Sequence, residues 1–148
     1  MIEMFDCVDE NDCVLGQESR EEVHRKGIYH RAVHIFARSD SGKWILQRRS
    51  AEKDTEPLLW TTTCSGHVDA GESYEDAAIR EFQEEVGVEV NHLELLELLR
   101  LSPCLETGNE FVRVYVNKNI VSPVPNLAEI LELEDFSISE INRLVESD

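Results

Sequence analysis

No C-x-x-C pair occurs in the 148 residues: Cys7, Cys13, Cys64 and Cys104 stand apart. A thiolate zinc site and a redox dithiol are thereby excluded, and the four thiols read as small buried hydrophobes of a reducing compartment. No apolar run approaches the roughly 20 residues that a membrane-spanning helix needs. The acidic start MIEMFDCVDEND lacks the basic-then-apolar order of a secretion signal, so a cytoplasmic setting without a membrane is expected. Positive charge is scarce: 14 Lys and Arg against 31 Asp and Glu leave a formal net charge of −17. That balance repels nucleic-acid polymers while remaining compatible with divalent cations. Repeats and low-complexity tracts are missing too, and residues 1–148 read as a single domain with a core of its own.

What is present alternates strand and helix signals. Two short apolar runs flank the turn cluster 9-DEND-12 and predict a hairpin over 4–17. Ser19 and Glu22 stand at capping-box spacing before a short helix that Gly27 ends. The runs 29–40 and 43–50 predict a second hairpin around 39-SDSG-42; 51–59, with Pro57, predicts a loop, and 60-WTTTCS-65 a strand. The clearest helix is 73–86, whose Ala77, Ala78, Ile79, Phe82 and Val86 supply an apolar side and whose end is Gly87. Strands are expected at 93–101, where Leu and Glu favour helix as well, and at 110–120. A terminal helix is expected over 137–147, capped by Ser137 and Glu140. The order gives an α+β or α/β sandwich with a mixed sheet.

Chemistry concentrates in 80-REFQEEVGV-88. Glu81, Glu84 and Glu85 stand at i, i+3 and i+4 of one helix and share a face. Converging carboxylates repel one another unless a cation sits among them, and hard oxygen donors suit Mg2+ or Mn2+. A solvated acidic face is the plain alternative in a chain this negative.

Upstream spacing favours the metal. Gly66, Glu72, Arg80-Glu81, Phe82, Glu84-Glu85, Gly87 and Val88 reproduce G-x5-E-x7-R-E-U-x-E-E-x-G-U, with Phe82 where an aliphatic residue is usual. The segment resembles the Nudix box of Nudix hydrolases. The resemblance implies the Nudix-type α/β/α sandwich with a mixed β-sheet and cleavage of a diphosphate joined to another, here nucleoside, moiety. It implies that Gly66 (through its carbonyl), Glu81, Glu84 and Glu85 bind Mg2+ or Mn2+, that Glu84, Glu85 and Glu110 are the catalytic candidates, and that Glu72 pairs with Arg80. Arg48 and Arg49 end a strand where such enzymes present a basic residue, so one of them is expected to clamp a phosphate. The implied partner is a small-molecule diphosphate, and a homodimer is compatible with the reading.

VDENDCVLG, 30-HRAVHIF-36 and 60-WTTTCSGH-67 also look like type 1 isopentenyl-diphosphate isomerases, which share the fold. Those enzymes use a Cys two residues before a metal-binding His. Matching that His to His67 puts Ser65, not Cys64, at the thiol's position, and a hydroxyl is a poor substitute in proton transfer near neutral pH. Where they carry two carboxylates, this chain has Gly108 and Glu110. His24, His30 and His67 fall near the isomerases' further metal site, which would be vestigial here; as plain residues they read as a helix-surface, a strand-start and a loop histidine. The expectation is a metal-dependent pyrophosphohydrolase, with an isomerase-like enzyme or a non-catalytic binding module as alternatives.

Overall fold

Asp9 closes the first turn by accepting from the backbone N–H groups of Asn11 (2.8 Å) and Cys13 (3.0 Å). It joins β1 (Met4–Val8) to β2 (Val14–Ser19) as an antiparallel hairpin. The structure, a computed structural model, describes residues 2–146. Ser19 Oγ then accepts from Glu22 N and starts α1 (Arg20–Lys26), and Gly27 ends it at φ 66°, a conformation in which a side chain is strained.

Seven further strands form one sheet: β3 (His30–Arg38), β4 (Trp44–Arg49), β5 (Trp60–Thr61), β6 (Cys64–His67), β7 (Leu95–Leu101), β8 (Glu110–Ile120) and β9 (Ile130–Phe136). Its main path runs β5-β4-β3-β8-β7, with β6 on β3 and β9 on β4. β3 and β8 are parallel and the other pairings antiparallel, so the sheet is mixed. β3 divides one edge between two partners: Ala32–Ile35 pairs with β6, while Ala37 and Arg38 pair with β4. Buried polar groups fill that fork. Thr63 Oγ1 accepts from Ala37 N (2.9 Å) and donates to Ile45 O (2.5 Å), and Gln47 Nε2 donates to Thr63 O (3.1 Å).

Across one face lies α2 (Tyr74–Val86), started by Ser73 Oγ and ended by Gly87 at φ 66°. Ala77, Ala78, Phe82 and Val86 are fully buried in one cluster with Val33, Ile35, Tyr115 and Ile130. The paired alanines let the helix approach the sheet, and burying a side chain such as Phe82 stabilises by about 1.5–3 kcal/mol. α3 (Ile138–Glu146) follows β9 behind a reciprocal box, Glu140 N to Ser137 Oγ and Ser137 N to Glu140 Oε1, each 3.2 Å. Residue 147 of the expected helix lies outside the described residues.

Several expectations need correction. Residues 60–65 are not one strand: the chain breaks pairing at Thr62 and Thr63 to enter the fork. The ambiguous 93–101 is a 3-10 turn, His92–Glu94, followed by β7, because pairing with β8 outweighs the helix preference of Leu and Glu. β9 was not anticipated. Cys7 and Cys64 are buried, but Cys13 and Cys104 are exposed in turns. Among the described residues no helix is long and apolar enough to cross a membrane.

Candidate functional site

α2 turns Glu81 and Glu85, one helical turn apart, toward β6, while the Glu84 side chain keeps 59% of its exposure. The shared face is therefore stepped, with two sheltered carboxylates and one at the solvent edge. Glu85 Oε1 accepts from Gln47 Nε2 (2.8 Å) and Ser65 N (3.2 Å), which fixes it against the fork. Burial pushes its carboxyl upward, and these two donors oppose the shift. Glu81 is pushed up to about 7, chiefly by burial; Arg80 works against the rise and Glu85 adds to it.

Gly66 is explained by Glu81. A Cβ built on Gly66 would lie 2.2 Å from Glu81 Cδ, so only glycine leaves room for that carboxylate beside the β6 backbone. Buried carboxylates that resist ionisation, next to a backbone they nearly touch, fit a hard divalent cation, whose charge would offset their desolvation.

Arg80 ties the loop to the helix. Its Nε and Nη2 donate to Glu72 Oε2 (2.8 Å) and Oε1 (3.0 Å), Nη2 also to His67 O (3.1 Å), and Nη1 to Glu81 Oε1 (2.8 Å) and Glu84 Oε2 (3.1 Å). The Glu72 fork, followed by its other carboxylate neighbours, raises the guanidinium's pKa despite burial. Glu72 Oε1 further accepts from Asp69 N (3.0 Å), closing the loop that β6 leads into.

Opposite this acidic edge is a second cluster. His24 from α1, His30 from β3 and His67 from β6 each bring one nitrogen within 4.8 Å of the others, the one such group of three among the described residues; the three carboxylates of α2 do not draw as close. Glu110, at the start of β8, places Oε2 2.7 Å from His67 Nε2 and 3.1 Å from His30 Nε2. Burial alone would raise the Glu110 carboxyl, but the two imidazoles hold it down at about 2. His30 Nδ1 meets Ile28 O at 2.8 Å. A carbonyl only accepts, so Nδ1 carries a proton, and Nε2 is the ring nitrogen that faces Glu110. That buried Nε2 makes no aligned hydrogen bond, and a carbonyl-oriented imidazole with a free nitrogen is how metal-ligating histidines are commonly set up. Phe5, fully buried, stacks on His30 (5.6 Å) and His67 (4.7 Å).

Both clusters open into one cleft of about 980 Å³. Arg49 lines it and Arg48 does not, as alternation along β4 requires; Arg48 is thereby corrected as a phosphate-clamp candidate. Arg49 Nε donates to Thr55 O (3.1 Å), and Arg48 Nε to Leu58 O (2.9 Å), so both arginines also brace the loop 51–59. Ser65 lines the cleft, whereas Cys64 packs in the α2 core, where burial, then Glu85, pushes its thiol well up. Sequence reasoning missed Gln47, Phe5 and His34, a further cleft residue; none belongs to a spaced motif.

The NUDIX domain family pattern matches residues 28–148. A Nudix hydrolase of Nostoc sp., named as uncharacterized, is 36% identical over 88% of this chain and 78% of its own length. An isopentenyl-diphosphate Delta-isomerase 2 of Photorhabdus laumondii is 29% identical over 98% of this chain and 83% of its own. Among solved structures, the crystal structure of DR0079 from Deinococcus radiodurans superposes with a TM-score of 0.83 at 29% identity, covering 98% of this chain and 90% of that one.

Proposed function

The chain belongs to the Nudix family, and from that premise we propose that it hydrolyses the diphosphate linkage of a nucleoside di- or triphosphate, in the cytoplasm, with Mg2+ or Mn2+. Nudix hydrolases generally require divalent metal ions and act on small-molecule diphosphates. The single observation that carries the reading here is the contact of Glu81 with Gly66, which leaves a desolvated carboxylate against the β6 backbone, on the same helix as Glu84 and Glu85. A divalent ion held by Gly66, Glu81, Glu84 and Glu85 would neutralise phosphoryl oxygens and make a bound water acidic enough to attack phosphorus. Arg80, paired to Glu72, holds the ligand helix and the loop in register, and Arg49 is the cleft arginine available to a phosphate. In this reading Glu85, fixed by Gln47 and Ser65, and Glu84, at the solvent edge, are the candidates to accept the water's proton.

Charge supports the requirement for metal. Nine Asp and Glu side chains line the cleft (Glu3, Glu56, Asp69, Glu81, Glu84, Glu85, Glu106, Glu110, Glu129). Against them stand Arg20, Arg49, Lys53 and Arg80, and a free diphosphate would be repelled.

The histidine cluster favours a second reading, an isomerase-like enzyme on isoprenoid diphosphates, since relatives carry that name. Ser65 and the buried Cys64 weigh against it, because no thiol faces the cleft at that point. The test is a panel of nucleoside, sugar and isoprenoid diphosphates with Mg2+ or Mn2+, products identified by phosphorus NMR. Release of phosphate or nucleoside monophosphate, lost in Glu85→Gln at unchanged folding, is expected. A shifted double bond without hydrolysis, or full activity in Glu85→Gln, would overturn the reading.

A further inference from the structure

On the same face of β3 as His30 and Ala32 stands His34, which lines the cleft. Its titratable neighbours include Glu110, Arg49 and His67, so it sits between the histidine cluster and the arginine offered to phosphate. Its Nδ1 lies 2.8 Å from Thr62 Oγ1, and that hydroxyl donates to Cys64 O at 3.0 Å. A hydroxyl has one proton. With that proton committed to a carbonyl, the Thr62 oxygen can only accept from His34, so Nδ1 carries the imidazole hydrogen and Nε2 carries the lone pair. Among the described residues Nε2 makes no hydrogen bond, and the side chain lines the cleft.

Thr62 owes its place to the break between β5 and β6. Thr63 turns inward to bond Ala37 and Ile45, and Thr62 is left facing His34 across the strands. The tautomer is therefore set by where Thr62 sends its one proton, to Cys64 O.

We propose that His34 Nε2 is a fixed hydrogen-bond acceptor for a hydroxyl or amino group on the non-phosphate moiety of the substrate, selecting a nucleoside diphosphate over an alkyl one. Burial, the largest influence on this imidazole, depresses its pKa, and Arg49 and His67 add to the effect against Glu110; the ring stays neutral and Nε2 stays an acceptor. An alkyl group filling the cleft would leave Nε2 desolvated and unpaired, which is how a polar site rejects an apolar analogue. The inference rests on the diphosphate reading given above and deepens it.

Binding, not turnover, tests it. Calorimetry with Mg2+ compares an α,β-methylene nucleoside diphosphate, its 2′,3′-dideoxy form and methylenediphosphonate, which lacks the moiety, against wild type, His34→Leu and His34→Gln. His34→Leu should bind the nucleoside analogue about tenfold more weakly, the loss of one net hydrogen bond, and methylenediphosphonate unchanged. His34→Gln, with an amide at similar reach, should restore most of the difference. If the dideoxy form is indifferent to His34→Leu, the donor is a ribose hydroxyl; if it stays sensitive, the donor is on the base; both agree with the proposal. Equal weakening of all three ligands, an undiminished nucleoside analogue, or wild type that binds it no better than methylenediphosphonate would overturn it. Selective binding without any turnover would sink the hydrolase reading and leave this one standing.

Discussion

The acidic edge of α2 and the cluster of His24, His30 and His67 face the same cleft, yet they are built in opposite ways. The first is one helix and the turn before it, with every ligand candidate between residues 66 and 85. Its donors are oxygens, and its pieces are locked by short-range pairs such as Arg80 with Glu72. The second draws one imidazole from each of α1, β3 and β6, and a carboxylate from β8. Its third member comes from the hairpin and helix that precede the matched family region, residues 28–148. A contiguous site survives as long as its helix does, whereas a dispersed one depends on docking. Here docking runs through Asp6, which accepts from Gly71 N (3.0 Å), through the backbone bond from Ala70 N to Met4 O (2.8 Å), and through Asp12, which receives Arg31 Nε and Tyr74 Oη at 2.7 Å each. The segment that completes the histidine cluster is thus held by the same loop that leads into the acidic helix.

The largest effect should come from the narrowest contact in the acidic site. Gly66→Ala puts a methyl group where Glu81 Cδ now lies, at 2.2 Å, and must displace that carboxylate from the β6 backbone. Hydrolysis should fall on the order of 10²-fold or more, the scale on which preorganised electrostatic groups act. Mg2+ affinity should fall with it, while the cleft histidines keep their own ion binding. Kinetics at saturating Mg2+ and a metal titration check this; activity within twofold of wild type would mean that Glu81 does not have to sit against Gly66.

A smaller, complementary loss is expected from the other cluster. His67→Gln removes one of three imidazoles and the closer partner of Glu110. Binding of Co2+ or Zn2+, followed by absorbance or calorimetry, should weaken at least tenfold, since nitrogen donors suit these ions better than Mg2+. Mg2+-dependent hydrolysis should fall less than it does in Gly66→Ala. If the two variants lose both properties equally, the clusters are one site and the contrast fails.

The same contrast explains what could be read in advance. Glu81, Glu84 and Glu85 announce themselves by helical spacing, and Gly66, Glu72 and Arg80 by a fixed pattern, so the proximity of these residues was legible in advance. The strands expected in 29–40 and 43–50 followed from runs of strand formers on either side of 39-SDSG-42, and the helices from Ser19, Ser73 and Ser137 with their paired glycines or glutamates. What was not legible lies where sheet pairing decides. β9 and the fork at Thr62 and Thr63 exist because distant strands accept them. Cys13 and Cys104, read as core residues, sit in turns whose conformation is set by Asp9 and Thr107. Phe5 against His67 is a contact across more than sixty sequence positions, and no local pattern encodes it. Arg48 against Arg49 required only the phase of β4, which alternation offered without saying which of the two faced inward.

The smallest expected effect concerns stability and again sets the two clusters apart. The Glu81 carboxyl rises from 4.5 to about 7 on folding without metal, mainly through burial. A carboxylate whose folded pKa lies above its unfolded value binds its proton more tightly in the native state. The unfolded chain releases that proton first, so stability is highest below about pH 4.5 and declines as pH rises through 7, by at most about 1.4 kcal/mol per pH unit from this group. Glu110 has the opposite sign: held down at about 2, it stabilises above its unfolded pKa and loses that contribution only in acid. Between pH 5 and 7 the Glu110 contribution is flat, but His24 and His34, depressed mainly by burial, stabilise increasingly as pH rises toward 6.5 and oppose Glu81, so the Glu81 part is read as the difference between wild type and Glu81→Gln. Urea unfolding in EDTA should show wild type losing stability relative to Glu81→Gln over this interval, and saturating Mg2+ should reverse that relative decline by favouring the ionised carboxylate. An unchanged slope in Glu81→Gln would assign the decline to another buried carboxyl, with Glu85, which is also raised by burial, the next group to replace.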